Sequence, residues 1–276
     1  MRFPFFISLF LLSGLAARAD IVALPKRINV KDGIRNWNTD LVNQVLSDIE
    51  LRKRGLIECA ELSELEGAYF CAATKKTYVN KALVRASMFS EGSEGLEKGK
   101  VISTDSKTYL EMVPLILGHD VPSEALLGFW TALNQACERG ETCPTPEEKE
   151  FFEEIVVPIS QKRSQFVVIT YSLESEWYQT VTHELMHAQY FLDSKFRETT
   201  DKFWNENVSE ADKAKIKKVL GQGYNQNDEF VMKNEFQAYL LDSQAKYSWL
   251  KDFAPIYRDA LIKKLTEAGV PPLEVL

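Results

Sequence analysis

The chain has 276 residues, 45% of them apolar and 26% charged, with 13 Gly and 10 Pro. These proportions exclude a disordered tail, a collagen and a small disulfide scaffold. The net charge of −7, from 33 basic and 40 acidic residues, does not suit a phosphate backbone, so nucleic acid is not an expected partner.

The first nineteen residues read as an address. Arg2 supplies a positive start, Phe5 to Leu12 is apolar but for Ser8, and Ala17-Arg18-Ala19 precedes Asp20. That is the layout of a secretory signal peptide cut after Ala19. The apolar core is shorter than the roughly 20 residues that span a bilayer, which argues against an anchor. Its removal takes away two arginines and no acids, leaving residues 20–276 more acidic still. The expectation is a soluble protein exported to the periplasm or beyond, with no stable membrane insertion after cleavage. Residues 20–276 read as one domain, with a subdivision near residue 160 as the alternative.

Asn38 to Arg52 reads as a helix, with Leu41, Val42, Val45, Leu46 and Ile49 on one side. Gly67 to Ala73 and Thr77 to Val84 read as two short strands around Thr74-Lys75-Lys76, on their aromatic and β-branched content. Ser90 to Gly99 reads as a loop, and so does Gly118-His119-Asp120. Ser123 to Cys137 reads as a helix ending near Gly140. Cys143-Pro144-Thr145-Pro146 reads as a rigid turn before a helical Glu147 to Glu154.

Cys59, Cys71, Cys137 and Cys143 are all the cysteines, an even number in a chain expected to be exported. Three pairings exist. Short loops close easily, which favours Cys59–Cys71 with Cys137–Cys143. Four buried thiols are the alternative, and the absence of a C-x-x-C pair argues against a cysteine zinc site.

Gln165 to Tyr171 (QFVVITY) is the clearest strand. Ser172 is a helix cap, with Glu174 and Glu176 suiting the first turn of a helix from about Leu173 into the 190s. Ser209 with Asp212 caps a further helix closed by Gly221. Asn227 caps another, from Asp228 to about Ala245. The last helix runs from Trp249 to Leu265, with Pro255 interrupting its start. The expected fold class is α+β, with a small, mainly antiparallel twisted sheet and a mostly helical C-terminal part.

Two of the three histidines form one motif, His183-Glu184-Leu185-Met186-His187. On a helix, residues four apart share a face, so both imidazoles reach one metal ion. Glu184 is rotated by about 100° from His183, away from the ligand pair and toward an ion-bound water, where it acts as general base.

The strand QFVVITY, the helix carrying H-E-L-M-H and a later helix carrying Asn234-Glu235 resemble the zincin metallopeptidases, and within them the gluzincins. The resemblance spans about residues 165–245. It implies a twisted sheet against the motif helix and a glutamate on a second helix as third ligand. Glu235, in Asn234-Glu235-Phe236-Gln237-Ala238-Tyr239, takes that part, with His183 and His187 as the other metal ligands. Glu229 and Asp193 are the competing carboxylates. Asp193 stands where metzincins place a ligand, but Tyr190 replaces the glycine that lets their chain turn back. The gluzincin pattern N-E-x-x-x-D also fails, since Tyr239 replaces its aspartate and Asp242 is the nearest substitute. Tyr224, Tyr239 and His119 are candidate donors to an oxyanion, with His119 the most structural of the three. These roles imply one Zn2+ per chain and hydrolysis of a peptide or protein substrate. A zincin scaffold used for binding with little turnover, a zinc hydrolase of cell-wall peptides and a latent precursor remain as alternatives. Nothing in the sequence sets the oligomeric state.

Overall fold

A computed structural model of the chain describes residues 28–31, 34–37, 57–62, 64–73, 75–92, 96–172, 177–242 and 249–275. The leader at residues 1–19, the helix expected over Asn38 to Arg52 and the first turn expected at Leu173 lie outside them.

The fold is α+β. Two strands, β1 (Ile28–Lys31) and β2 (Ile34–Trp37), pair antiparallel, and β2 pairs in parallel with the C-terminal β7 (Leu273–Val275). The main sheet holds β3 (Ile57–Glu61), β4 (Ala68–Ala73), β5 (Gly118–Pro122) and β6 (Val167–Ser172), in the order β3-β4-β6-β5. Its β3–β4 and β5–β6 pairings are antiparallel and its central β4–β6 pairing is parallel. All six residues of β6 are buried, as befits a central strand covered on both faces. The turn from β3 into β4 passes through Gly67 at φ +88°, where a Cβ would meet the Gln165 carbonyl at 3.0 Å.

Helices cover both faces of this sheet. Alternation along the strands sends Phe70, Ile169 and Tyr171 to one side and Tyr69, Cys71 and Val168 to the other. The second side packs on α1 (Lys76–Glu91) and α3 (Ser123–Glu138), with α2 (Lys107–Met112) between them in sequence. The segment expected as a strand over Thr77 to Val84 is thus part of α1. Val79, Ala82, Leu83 and Ala86 recur at helical spacing and are buried together, and that shared burial outweighs the β propensity of Thr77, Tyr78 and Val84.

Arg85 on α1 is fully buried against Glu148. Its Nε donates to Glu148 Oε1 at 2.7 Å, and its two terminal nitrogens donate to the Ile102 and Cys143 carbonyls at 3.0 Å each. Glu148 closes a capping box with Thr145 at the start of α4 (Pro146–Phe151). That helix continues through a π turn (Phe152–Val156) into α5 (Val157–Lys162). Pro158 has no N–H to give and crowds the preceding turn, and the widened π turn lies just ahead of it.

The first side of the sheet packs on α6 (Trp177–Leu192), which carries H-E-L-M-H. Then follow α7 (Ser194–Asn207), α8 (Glu210–Leu220), α9 (Glu229–Leu241) and α10 (Ala254–Glu267). Ser209 caps α8 through the Asp212 N–H, as expected. The cap of α9 is Asp228 rather than Asn227. Its carboxylate accepts from the Phe230 and Val231 N–H groups, and α9 ends at Leu241. The last helix begins at Ala254 rather than Trp249, and residues 249–253 form turns ahead of it. Pro255 sits in the first turn of α10, where its missing N–H costs nothing.

Cys59–Cys71 and Cys137–Cys143 are disulfide-bonded. The first joins directly opposed residues of β3 and β4. Among the described residues, no helix is long and apolar enough to cross a membrane.

Candidate metal centre

The centre is built from three segments. Helix α6 supplies His183, Glu184 and His187, α9 supplies Glu235, and β5 supplies Asp120. Two amide side chains hold these pieces in place. Gln237 on α9 donates from Nε2 to the Met186 carbonyl at 3.1 Å, which seats α9 on the motif helix. Gln189 donates to the Pro271 carbonyl and accepts from the Leu273 N–H, which ties the motif helix to β7.

The Nε2 atoms of His183 and His187 lie 3.0 Å apart. Glu235 faces both, with Oε2 at 3.6 Å from His183 Nε2 and Oε1 at 3.6 Å from His187 Nε2. Two nitrogens bound tetrahedrally at zinc distances stand about 3.3 Å apart, so this spacing fits one ion. Glu235 Oε2 is buried with no hydrogen-bond partner, which is costly unless a cation fills the gap. These residues therefore fit a divalent cation.

The electrostatics agree. Burial pushes His183 and His187 down to about 4, so both stay neutral with a lone pair to share. Burial pushes Glu235 up to about 7, against the opposing pull of His187 and Tyr224, and a nearby Asp120 adds to the rise. Asp120 also rises to about 7, chiefly from burial. Glu184 stands well above the usual carboxylate range, through burial first and then the charges of Asp120 and Glu235. Asp120 and Glu184 hydrogen-bond to each other. Glu91, at the end of α1, is raised by burial and by the same carboxylates. Four acids thus crowd a water-poor site, an arrangement that a doubly positive ion relieves.

Aromatic rings wall one side. Tyr239 packs on the His183 ring with centroids 4.3 Å apart and stacks on Trp249 at 5.6 Å. The Tyr224 and Tyr239 hydroxyls are 3.2 Å apart, and burial raises both phenols, so they remain protonated donors at neutral pH. Gly223 lies under Trp249, where a Cβ would come within 2.8 Å of the indole. On the other side, a cavity of about 670 Å³ reaches Glu235 and Asn234. Its walls include Phe89, Phe191 and Phe230, with Glu91 and Arg197 also lining it.

The competing carboxylates stand elsewhere. Asp193 caps α7, accepting from the Lys195 and Phe196 N–H groups at 3.0 Å. Tyr190 is buried and donates to Asp201, so α6 runs on past the point where a metzincin would turn. Glu229 accepts from Trp204 Nε1 and pairs with Lys217. Asp242 is buried, and its charge acts on His183.

His119 is not in the centre, and its segment is a strand rather than a loop. It is buried on the α1 side, within 3.0 Å of Asn80 Oδ1 and 2.8 Å of Ser87 Oγ, and burial lowers it to about 3. Asp120 and Glu91 are the site residues that sequence reasoning missed. Recognising Gly118–Pro122 as a strand would have put His119 and Asp120 on opposite faces, but only the pairing with β6 shows which of them faces the centre. No local pattern marks Glu91.

Compared with protein-family models, with curated proteins and with solved structures, the chain matches none.

Proposed function

We propose that the protein is an exported metallopeptidase of gluzincin type, with one Zn2+ per chain held by His183, His187 and Glu235. The observation that carries this reading is the convergence of two neutral imidazole nitrogens and the buried Glu235 carboxylate, whose Oε2 has no hydrogen-bond partner. The sheet lying against the motif helix supports a zincin-like fold. Two disulfides and the leader pattern of residues 1–19 support export.

When bound, zinc lowers the pKa of a coordinated water from 15.7 toward about 7 and polarises a carbonyl. Glu184 takes a proton from the water that adds to the peptide carbonyl. It then returns that proton to the amide nitrogen as the carbon–nitrogen bond breaks. The hydroxyls of Tyr224 and Tyr239 donate toward the oxygen that becomes negative. The aromatic cavity beside Glu235 receives an apolar side chain of the substrate.

The test is metal content and hydrolysis measured together. Wild type holds one zinc per chain and cleaves casein or a peptide library, and chelation abolishes cleavage. Glu184→Gln keeps the zinc and loses about 10²–10⁴-fold in rate. Full activity in Glu184→Gln, or wild-type protein that binds no zinc, overturns the reading. Turnover confined to murein fragments narrows the substrate to cell-wall peptides. One zinc without turnover on any of these substrates makes the metal a pin for the fold.

A further inference from the structure

We propose that Asp120 is a positioning residue of the metal centre, accepting the Nδ1–H of His187 and thereby holding Nε2 toward the ion. This rests on the metallopeptidase reading for the ion itself.

His187 is 1% exposed, and its Nδ1 has no hydrogen-bond partner. Its Nε2 faces His183 and Glu235. A metal-ligating imidazole ordinarily donates its second N–H to a carboxylate, a carbonyl or a water, which fixes the tautomer and the ring plane. Asp120 Oδ2 lies 3.9 Å from Nδ1. A shift of about 1 Å closes that gap to a charge-assisted hydrogen bond.

The placement follows from the sheet. Asp120 pairs with Ile169 in β6, and Ile169 faces the core shared with α6. A strand residue opposite Ile169 therefore points at the motif helix, between Glu184 and His187. The two imidazoles thus have separate acids, Asp242 acting on His183 and Asp120 facing His187. Tyr239, at the place of the gluzincin aspartate, is free to serve as an aromatic wall. Asn234 also hydrogen-bonds to the His187 side chain, and its Oδ1, which accepts from Gln237 Nε2 at 3.3 Å, keeps a second lone pair, so Asn234 is the competing orienter that the experiment must separate from Asp120.

The experiment compares zinc affinity, metal count and the cobalt(II) absorption spectrum in wild type, Asp120→Ala, Asp120→Asn and Asn234→Ala. Asp120→Ala is expected to keep one ion per chain but bind zinc about 10–100-fold more weakly, as loss of an outer-shell partner does. Asp120→Asn, isosteric and still an acceptor, recovers part of that loss, and both variants shift the cobalt spectrum. The metal-free melting temperature separates this from a structural role, which would lower melting and leave affinity unchanged. Three results overturn the inference while leaving the zinc site standing. They are unchanged affinity in both Asp120 variants, a loss confined to Asn234→Ala, and a second wild-type ion that disappears with Asp120. Wild type that binds no zinc removes the metallopeptidase reading and this inference together.

Discussion

His119 and Asp120 are neighbours in β5 that serve opposite layers of the molecule. His119 turns to Asn80 and Ser87 on α1, whereas Asp120 turns to Glu184 and His187 on α6. A strand reverses its side chains at every residue, so one step along the chain separates a structural imidazole from the metal centre.

That separation gives His119 a measurable pH signature. Its pKa is about 3 in the fold and about 6.5 in an unfolded chain. Above pH 6.5 it is neutral in both states and its stabilising contacts are fully present. Between 6.5 and 3 the unfolded chain takes up a proton that the fold refuses, so stability falls with pH. Wild type should lose its advantage over His119→Asn by about 1.4 kcal/mol per pH unit in that window. Denaturant melts of both proteins, free of metal, at about pH 7.5, 6, 5 and 4 provide the check, and a constant gap refutes the assignment.

Metal binding should discriminate among the three acids weighed for the third ligand. Glu235→Ala is expected to lose zinc on dialysis. Asp193→Ala and Glu229→Ala should retain it, because those carboxylates cap α7 and bind Trp204 instead. Elemental analysis of the three variants is sufficient. Retention by Glu235→Ala would remove that residue from the coordination sphere.

Loading the centre should also stabilise the fold. Free zinc at about 100 times its dissociation constant adds about 2.7 kcal/mol if only the native state binds it. Thermal melts with zinc and with chelator measure the difference, and identical curves contradict a preformed site.

The Arg85–Glu148 pair predicts a stability cost far from the chemistry. Both side chains are fully buried, so Glu148→Ala leaves an uncompensated guanidinium and should destabilise by about 3–5 kcal/mol. Arg85→Met with Glu148→Leu should recover part of that loss. The Ile102 and Cys143 carbonyls then remain without their donors. Urea unfolding of the single and double variants tests the ordering.

The grouping of His183, His187 and Glu235 was legible in the sequence because the two histidines follow a helical repeat. His183 and His187 are one turn apart, and Glu235 lies on a second helix with apolar neighbours. Asp120 was not legible, since its role depends on which strand of the sheet lies beside β6, and its partner Ile169 is distant in sequence. The error at Thr77 to Val84 has a similar root. Local propensity favoured a strand, and only the core against α3 and β4 reveals the helical face of Val79, Ala82, Leu83 and Ala86. The misplaced cap at Asn227 is a smaller matter, because Asn227 and Asp228 are both good caps and the backbone chose the second.

The centre draws on β5, α6 and α9, segments separated by long stretches of chain. A nascent polypeptide that has emerged only as far as His187 carries both imidazoles, Asp120 and Glu184, but not Glu235. The convergence of both imidazoles with Glu235 therefore arises only after α9 has been made and has docked on α6.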